Sequence, residues 1–207
     1  STLALVKEML LSPRWDEKEF TLAKQSTLST IAQQKANPNN IADNAFAALL
    51  YGEDHIFSLN PMGNESTLSN ITMDDLKAYY AKYIAPNLTH VHVVGAVSSE
   101  TVIETMKGWV EGWPKKAVSL PELKVANTPE TSKVYFYDVP GAKQSVLRFG
   151  YLAMAETDED FYPATVMNYK LGGGGFASRL TQSLREGKGY TYGIRSAFSG
   201  SDIPGPF

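Results

Sequence analysis

The sequence predicts an α+β protein, because helical and strand-like patterns occupy different parts of the chain. Helical patterns, in which apolar residues repeat every three or four positions, cluster before Tyr83. Strand-like runs rich in β-branched and aromatic residues follow Lys133. The stretch 113–131 lies between them, contains three prolines and has no period, which is typical of an interdomain linker. We therefore expect two domains, 1–112 and 132–207.

Local signals set the bounds of each predicted element. Asp16 with Glu19, and Thr72 with Asp75, form capping-box patterns that mark helix starts. Residues 52–66 are rich in Gly, Asn, Pro and Ser, so they predict a loop. The predicted helices are 3–11, about 17–36, 41–51, one capped by Thr72, one following Ser99, about 158–171, and 176–185. The predicted strands are 89–94, 133–139, 144–153 and 190–198.

Composition excludes several classes of protein and site. The 207 residues are 43% hydrophobic and 20% charged, which is the range of globular proteins. A net charge of -3 gives no electrostatic reason to bind nucleic acid or an anionic membrane. No run approaches the ~18 apolar residues that a membrane span needs. The chain has no cysteine, which excludes disulfides, thiolate zinc sites and a cysteine nucleophile.

Histidines offer few ways to hold a metal in this sequence. His90 and His92 fall on one face of a predicted strand, which would allow a shared metal, but a helical zinc motif of two histidines is absent. We favour the interpretation that both imidazoles lie on a partly exposed strand face without a metal. A separate metal site at these two histidines stays an alternative. His55 follows two carboxylates, and no nucleophile lies near it in sequence. We expect it to be solvated in a loop, and we predict no metal ligand.

The glycine run 172–175 invites comparison with the dinucleotide-binding fingerprint. That motif requires a strand before the glycines, whereas a helical pattern precedes them here. We therefore expect no nucleotide. Glycines instead allow a backbone, that of the chain itself or of a ligand, to approach closely. On this reasoning Gly173, Gly174 and Gly175 are candidate substrate-binding residues.

The stretch 178–193 carries the residues best suited to chemistry. Arg185 closes a predicted helix, and Tyr192 opens the strand after a glycine turn. Arginine offers a permanent charge and tyrosine a phenolic donor, and both can hold a peptide carbonyl or stabilise an oxyanion. The simpler interpretation is an arginine near the negative end of the helix dipole and a core tyrosine.

This stretch resembles the second-domain signature of the insulinase and pitrilysin superfamily of zinc metallopeptidases, which includes mitochondrial processing peptidase. The resemblance rests on the glycine run, the Ser-Arg-Leu helix, Leu184-Arg185-Glu186, the tyrosine seven residues beyond the arginine, and the final Pro-Gly-Pro-Phe. Earlier segments are similar too, among them 11–16 and 75–80. The likeness covers nearly the whole sequence.

The resemblance implies a two-domain fragment of the LuxS/MPP-like metallohydrolase fold, with mixed or antiparallel sheets flanked by helices. It implies that Arg185 and Tyr192 are the catalytic pair that contacts substrate at a zinc ion held by another domain. Tyr190 has the wrong spacing for this role. The histidine motif of the family would lie upstream of Ser1, and its glutamate ligand corresponds to Thr30, which cannot replace a carboxylate. The first domain therefore resembles a degenerate, non-catalytic copy.

These implications lead to two expectations about function. The parent is a zinc endopeptidase or oligopeptidase acting on peptides, and this fragment, inactive alone, pairs with a zinc-bearing half of the same chain or with a partner subunit. Alternatively, the parent is an inactive peptidase-like subunit that binds peptides or acts as a scaffold in an assembly. Analogy with bacterial relatives suggests the periplasm or cell envelope, and the cytoplasm is the other location considered.

Overall fold

Helices form most of the regular structure in a computed structural model that describes residues 2–124, 126 and 131–207. The α-helices are α1 (Thr2–Leu11), α2 (Glu17–Gln34), α3 (Pro38–Tyr51), α4 (Glu65–Asn70), α5 (Met73–Tyr83), α6 (Ser99–Val110) and α7 (Phe161–Asn168). Short 3-10 helices cover Ile56–Ser58, Pro86–Leu88 and Gly175–Ala177, and π-helices cover Tyr169–Gly173 and Thr181–Gly187. No helix among these is both long and apolar enough to cross a membrane.

Contacts within the chain define two compact units. The first comprises Ser1–Ala32 and Met62–Pro121, and the second comprises Gln33–Pro61 and Glu122–Phe207. Buried apolar residues of the first unit are Ile31, Met73 and Ala85, and those of the second are Leu50, Leu152, Ala155, Phe161 and Ile203. Residues 125 and 127–130 of the predicted linker lie outside the described residues, so the predicted domain boundaries stay predictions.

Side-chain caps explain where helices of the first unit begin. Oδ1 of Asp16 accepts hydrogen bonds from the backbone N–H groups of Lys18 (2.9 Å) and Glu19 (3.0 Å) at the start of α2. At α5, the Thr72 hydroxyl accepts from the Asp75 N–H at 3.2 Å, while Asp75 accepts from the Thr72 N–H at 2.8 Å. Each cap satisfies donors that the helix leaves open. The two predicted helix starts are confirmed.

The Asp75 cap predicts an acid-dependent loss of stability. Hydrogen bonds from the Thr72 side chain and backbone hold the pKa of Asp75 below its ordinary value. A lowered carboxylate pKa stabilises the fold above the unfolded-state pKa of about 3.9, and this contribution disappears as the pH falls toward the folded-state pKa. Asp75→Asn is expected to lower the thermal midpoint at pH 7, with the gap to wild type closing below about pH 4. A gap that is constant from pH 7 to pH 3 would contradict this assignment.

Several helix bounds differ from the prediction. Helix α3 begins at Pro38 instead of Ile41, with the Asn37 side chain as its cap, because proline is well suited to the first helical turn. Helix α4 lies partly in the predicted loop, and Asn64 and Thr67 cap it reciprocally. The predicted helix 158–171 is observed as α7 followed by a π-helix. The predicted helix 176–185 is a 3-10 turn followed by a second π-helix.

The predicted α+β class is wrong for the described residues. They are 51% helical and 1% strand, with no sheet, so the mixed or antiparallel sheets are not observed. The four predicted strands lie in non-helical segments in which many large side chains are exposed, as shown by Val94 (101%), Val134 (97%) and Phe136 (88%), although Leu152 is buried. A β-branched run favours a pleated backbone, but a strand exists only where another segment of backbone pairs with it.

One antiparallel contact closes the second unit near its C-terminal end. Leu152 and Pro206 form an isolated bridge, and the Ala153 N–H donates to the Gly205 carbonyl at 2.8 Å. Phe207 and Tyr151 exchange backbone hydrogen bonds of 2.9 and 3.3 Å. The final residues therefore fold back on the segment 151–154.

Candidate functional site

The candidate site lies in the second unit and begins where α7 ends. Asn168 is buried, and its Nδ2 donates to the Ser196 carbonyl at 2.8 Å. The Ser196 hydroxyl donates back to Oδ1 of Asn168 at 2.5 Å. A carboxamide that both donates and accepts fixes the distance and the orientation of the two segments it joins. The end of α7 is thus attached to the segment 190–198.

The glycine run 172–175 forms the turn that follows α7. A Cβ added at Gly172 would meet Ser196 Oγ and would lie 2.8 Å from the Ser196 backbone nitrogen. A Cβ at Gly173 would lie 3.0 Å from Nδ2 of Asn168, and one at Gly174 would lie 2.5 Å from the Tyr169 carbonyl oxygen. Gly175 has a φ of +59°, which favours glycine. The close approaches at the first three glycines are therefore to the chain itself, and the substrate role of Gly173, Gly174 and Gly175 stays a prediction.

Ser178 anchors the helical segment that carries Arg185. It is fully buried, and its hydroxyl donates to the Gly175 carbonyl at 2.8 Å and lies 3.0 Å from Oγ1 of Thr181. The Ser178 carbonyl accepts the Gln182 N–H at 3.0 Å. This buried pair of hydroxyls satisfies polar groups at the start of the segment. The anchor fixes where the π-helix Thr181–Gly187 starts.

Arg185 lies beside two aromatic rings. Its guanidinium carbon Cζ is 4.6 Å from the ring centre of Phe176 and 4.8 Å from that of Tyr192. Its Nε is 3.4 Å from Oε1 of Glu186, and its side chain is 27% exposed. Contacts between a guanidinium and aromatic faces are worth about 0.5–2 kcal/mol each. The structure therefore brings together the arginine and the tyrosine that the sequence singled out, and it adds Phe176.

A tight turn returns the chain from Arg185 to Tyr192. The Gly189 N–H donates to the Arg185 carbonyl at 3.0 Å, and the Tyr190 N–H donates to the Leu184 carbonyl at 2.9 Å. Tyr192 is 89% exposed, and among the described residues no group hydrogen-bonds its hydroxyl. Tyr190 instead lies near Lys188, whose Nζ is 5.6 Å from its ring centre. The Tyr192 phenol is therefore an accessible donor beside a fixed positive charge.

The described residues do not fit a zinc ion. No group of three or more His, Asp or Glu side chains among them could hold a metal. His90 and His92 are exposed on a segment without regular structure. Thr30 donates its hydroxyl to the Ser26 carbonyl of its own helix at 3.1 Å, as helix threonines commonly do. The donor set of a hydrolytic zinc site, three nitrogen or oxygen ligands, is thus absent from this part of the protein.

His55 has a structural role. Its Nδ1 accepts the Phe57 N–H at 3.1 Å, so the proton of the neutral ring lies on Nε2, which is 2.7 Å from the Lys124 carbonyl oxygen. Its ring also stacks on Tyr51 at 5.0 Å between centroids. His55 is therefore more ordered than the solvated loop residue that the sequence predicted.

Comparison with known families identifies the chain. The family described as the peptidase M16 inactive domain matches residues 70–207, two thirds of the sequence. The chain belongs to this family. The predicted membership of this zinc metallopeptidase group is therefore confirmed.

Solved and curated relatives of this inactive domain are about twice as long as the chain. The crystal structure of a peptidase M16 inactive domain from Pseudomonas fluorescens superposes with a TM-score of 0.84 at 26% identity, covering 100% of this chain and 49% of that one. "Uncharacterized zinc protease YmxG" of Bacillus subtilis is 26% identical over 98% of this chain and 48% of its own. "Non-peptidase homolog YmxG" of Helicobacter pylori is 27% identical over 94% and 44%. The chain therefore spans just under half the length of these relatives.

Sequence reasoning missed two features of this M16 inactive domain. Phe176 lies nine residues before Arg185, and the intervening 3-10 and π turns follow no single helical period that could have linked them. The clamp between Asn168 and Ser196 spans 28 residues and has no local signal. The hint that the sequence offered for Asn168 was a polar residue at the end of an apolar helix pattern, because a polar residue that is buried there needs a partner.

Proposed function

We propose that this chain is the non-catalytic half of a zinc endopeptidase or oligopeptidase. Its role is to present Arg185 and Tyr192 to peptide substrate at a zinc ion that the other half of the parent, or a partner subunit, holds. The metal supplies the hydrolytic chemistry there, and this chain binds and orients the peptide. The chain alone hydrolyses nothing.

The observation that carries the proposal is the pairing of Arg185 with Tyr192. A guanidinium at 4.8 Å from the phenol ring gives a fixed positive charge next to an exposed hydroxyl donor. Donors held in advance near developing negative charge stabilise a transition state without reorganising. Membership of an inactive-domain family, and relatives that carry the words zinc protease in their names, support placing the metal elsewhere in the parent.

Metal content and hydrolysis measured on two samples test this proposal. The full-length parent is expected to bind about one zinc ion per chain and to cleave peptides, as a hydrolytic zinc site does. The purified chain 1–207 is expected to bind no zinc and to cleave nothing. Mixing the chain with the zinc-bearing half of the parent is expected to recover hydrolysis. Hydrolysis by the isolated chain would refute the proposal.

The second candidate is an inactive peptidase-like subunit that binds peptides or serves as an assembly scaffold. The relative from Helicobacter pylori named a non-peptidase homolog, at 27% identity, favours keeping it. A full-length parent that contains no zinc, cleaves no peptide and still binds peptides would support this candidate. We further propose a periplasmic or cell-envelope location, which fractionation of the source cells would test.

A further inference from the structure

Two aromatic rings lie beside the guanidinium of Arg185. Cζ is within 5 Å of both ring centres, at 4.6 Å from Phe176 and 4.8 Å from Tyr192. Rings contact the flat faces of a guanidinium, while its N–H donors lie in its plane. The rings therefore restrict Arg185 without using its donors.

The terminal nitrogens of Arg185 are free to bind a ligand. Among the described residues, no group accepts a hydrogen bond from them. The charged neighbour is Glu186, whose Oε1 lies 3.4 Å from Nε. That distance exceeds the ~2.7–2.9 Å of a charge-assisted hydrogen bond. The guanidinium of Arg185 therefore presents parallel N–H donors in one plane, an arrangement called the fork below. A carboxylate matches the fork because each of its two oxygens can accept one of these N–H groups.

The local charge also favours an acidic ligand. Residues 168–195 contain five basic residues and one acidic residue, whereas the whole chain has a net charge of -3. Lys188 is exposed three residues beyond Arg185 and lies over the Tyr190 ring at 5.6 Å. A locally positive region attracts carboxylates and repels cationic peptides.

We propose that Phe176, Arg185 and Tyr192 form a subsite that selects a carboxylate. The peptides that bind there present an acidic side chain or a free C-terminus. Arg185 contacts the ligand, and Phe176 is a positioning residue that holds the guanidinium in place. This inference rests on the proposed function, because it names the chemical class of the peptides that the pair of Arg185 and Tyr192 receives.

Paired peptides test the subsite on the full-length parent. One fluorescein-labelled pair differs by Glu against Gln at a single position, and a second pair differs by a free C-terminus against an amide. Fluorescence anisotropy gives each Kd within the period in which mass spectrometry shows that the parent has not yet cleaved the peptide. We expect the acidic member of one pair to bind about tenfold more tightly, because hydrogen bonds between charged groups are the strong ones. The pair that shows this preference identifies the source of the carboxylate.

Four variants distinguish binding by the paired N–H donors of Arg185 from binding by its positive charge alone. Arg185→Lys keeps the charge and loses the fork, so we expect the preference to fall to about twofold or less. Arg179→Lys is the matched control on an exposed arginine without ring contacts, and it is expected to keep the full preference. Glu186→Gln removes the competing carboxylate and should raise affinity for the acidic peptide by about two- to fivefold. Phe176→Leu should weaken the preference.

Restoring a ring tests whether Phe176 acts by position. Phe176→Tyr is expected to recover the preference that Phe176→Leu loses, which general damage to the fold would not allow. Equal Kd values within both peptide pairs for the wild type, or an unchanged preference in Arg185→Lys, would overturn the subsite. These results are independent of turnover, so a carboxylate preference without hydrolysis would support the subsite while the peptidase proposal fails. Hydrolysis without a carboxylate preference would support the peptidase proposal while the subsite fails.

Discussion

Tyr192→Phe in the full-length parent is expected to lower kcat by about 100-fold or more, with the fold unchanged. A preorganised donor to a transition-state oxyanion is worth about 3 kcal/mol, and the substitution removes only the hydroxyl. Phenylalanine keeps the ring that lies 4.8 Å from Arg185, so the guanidinium stays in place. Because the hydroxyl of Tyr192 makes no hydrogen bond to the described residues, its loss should not alter the thermal midpoint. Steady-state kinetics on a peptide substrate measures the effect.

Tyr190→Phe is the matched control for this prediction. Tyr190 is two residues away and 76% exposed, but its ring neighbours Lys188 instead of Arg185. We expect its kcat to stay within about twofold of wild type, as for a surface change away from the chemistry. A similar loss in both variants, or no loss in either, would remove the assigned role of the Tyr192 hydroxyl.

Gly172→Ala is expected to destabilise the protein by about 2–3 kcal/mol, the upper part of the range for overpacking a close contact. Its Cβ would meet the Ser196 hydroxyl and would lie 2.8 Å from the Ser196 backbone nitrogen and 2.9 Å from Cδ1 of Leu180. The leucine can move, but the backbone nitrogen cannot move without straining the clamp between Ser196 and Asn168. A drop of about 5–10 °C in the calorimetric midpoint should follow.

Gly193→Ala controls for the change from glycine itself. No heavy atom lies within 4 Å of the Cβ that it would add, and its backbone is outside the left-handed region. We expect its free energy of unfolding to stay within about 0.5 kcal/mol of wild type. Equal stability of the two alanine variants would mean that the contact between residues 172 and 196 is not tightly packed.

Local signals in the sequence predicted the parts of the structure that depend on near neighbours. The helix starts at Asp16 and Thr72 could be predicted because a capping side chain and the backbone N–H that donates to it lie within three residues. The closeness of Arg185 and Tyr192 could be predicted for the same reason, because only one glycine turn separates them in the sequence. Their catalytic role stays a prediction, because geometry gives proximity and not turnover.

Partners distant in sequence explain what could not be predicted. The strand-like run 133–139 indicated an extended backbone, and nothing in it specifies a second segment with which to pair. The predicted sheets were wrong for this reason. Phe176 was missed because the winding between it and Arg185 changes from 3-10 to π, and a fixed helical period does not apply across such a change.

The wide winding of Thr181–Gly187 leaves room for the loss of one residue. A π turn closes its hydrogen-bonded ring over one more residue than an α turn, so each residue turns the chain through a smaller angle. Removing one residue would let the coil tighten to the ordinary α form, in which fewer residues at about 100° each cover a similar total angle. We therefore expect such a deletion to leave later side chains pointing in nearly their present direction, whereas a deletion from an ordinary α-helix would turn them by about 100°.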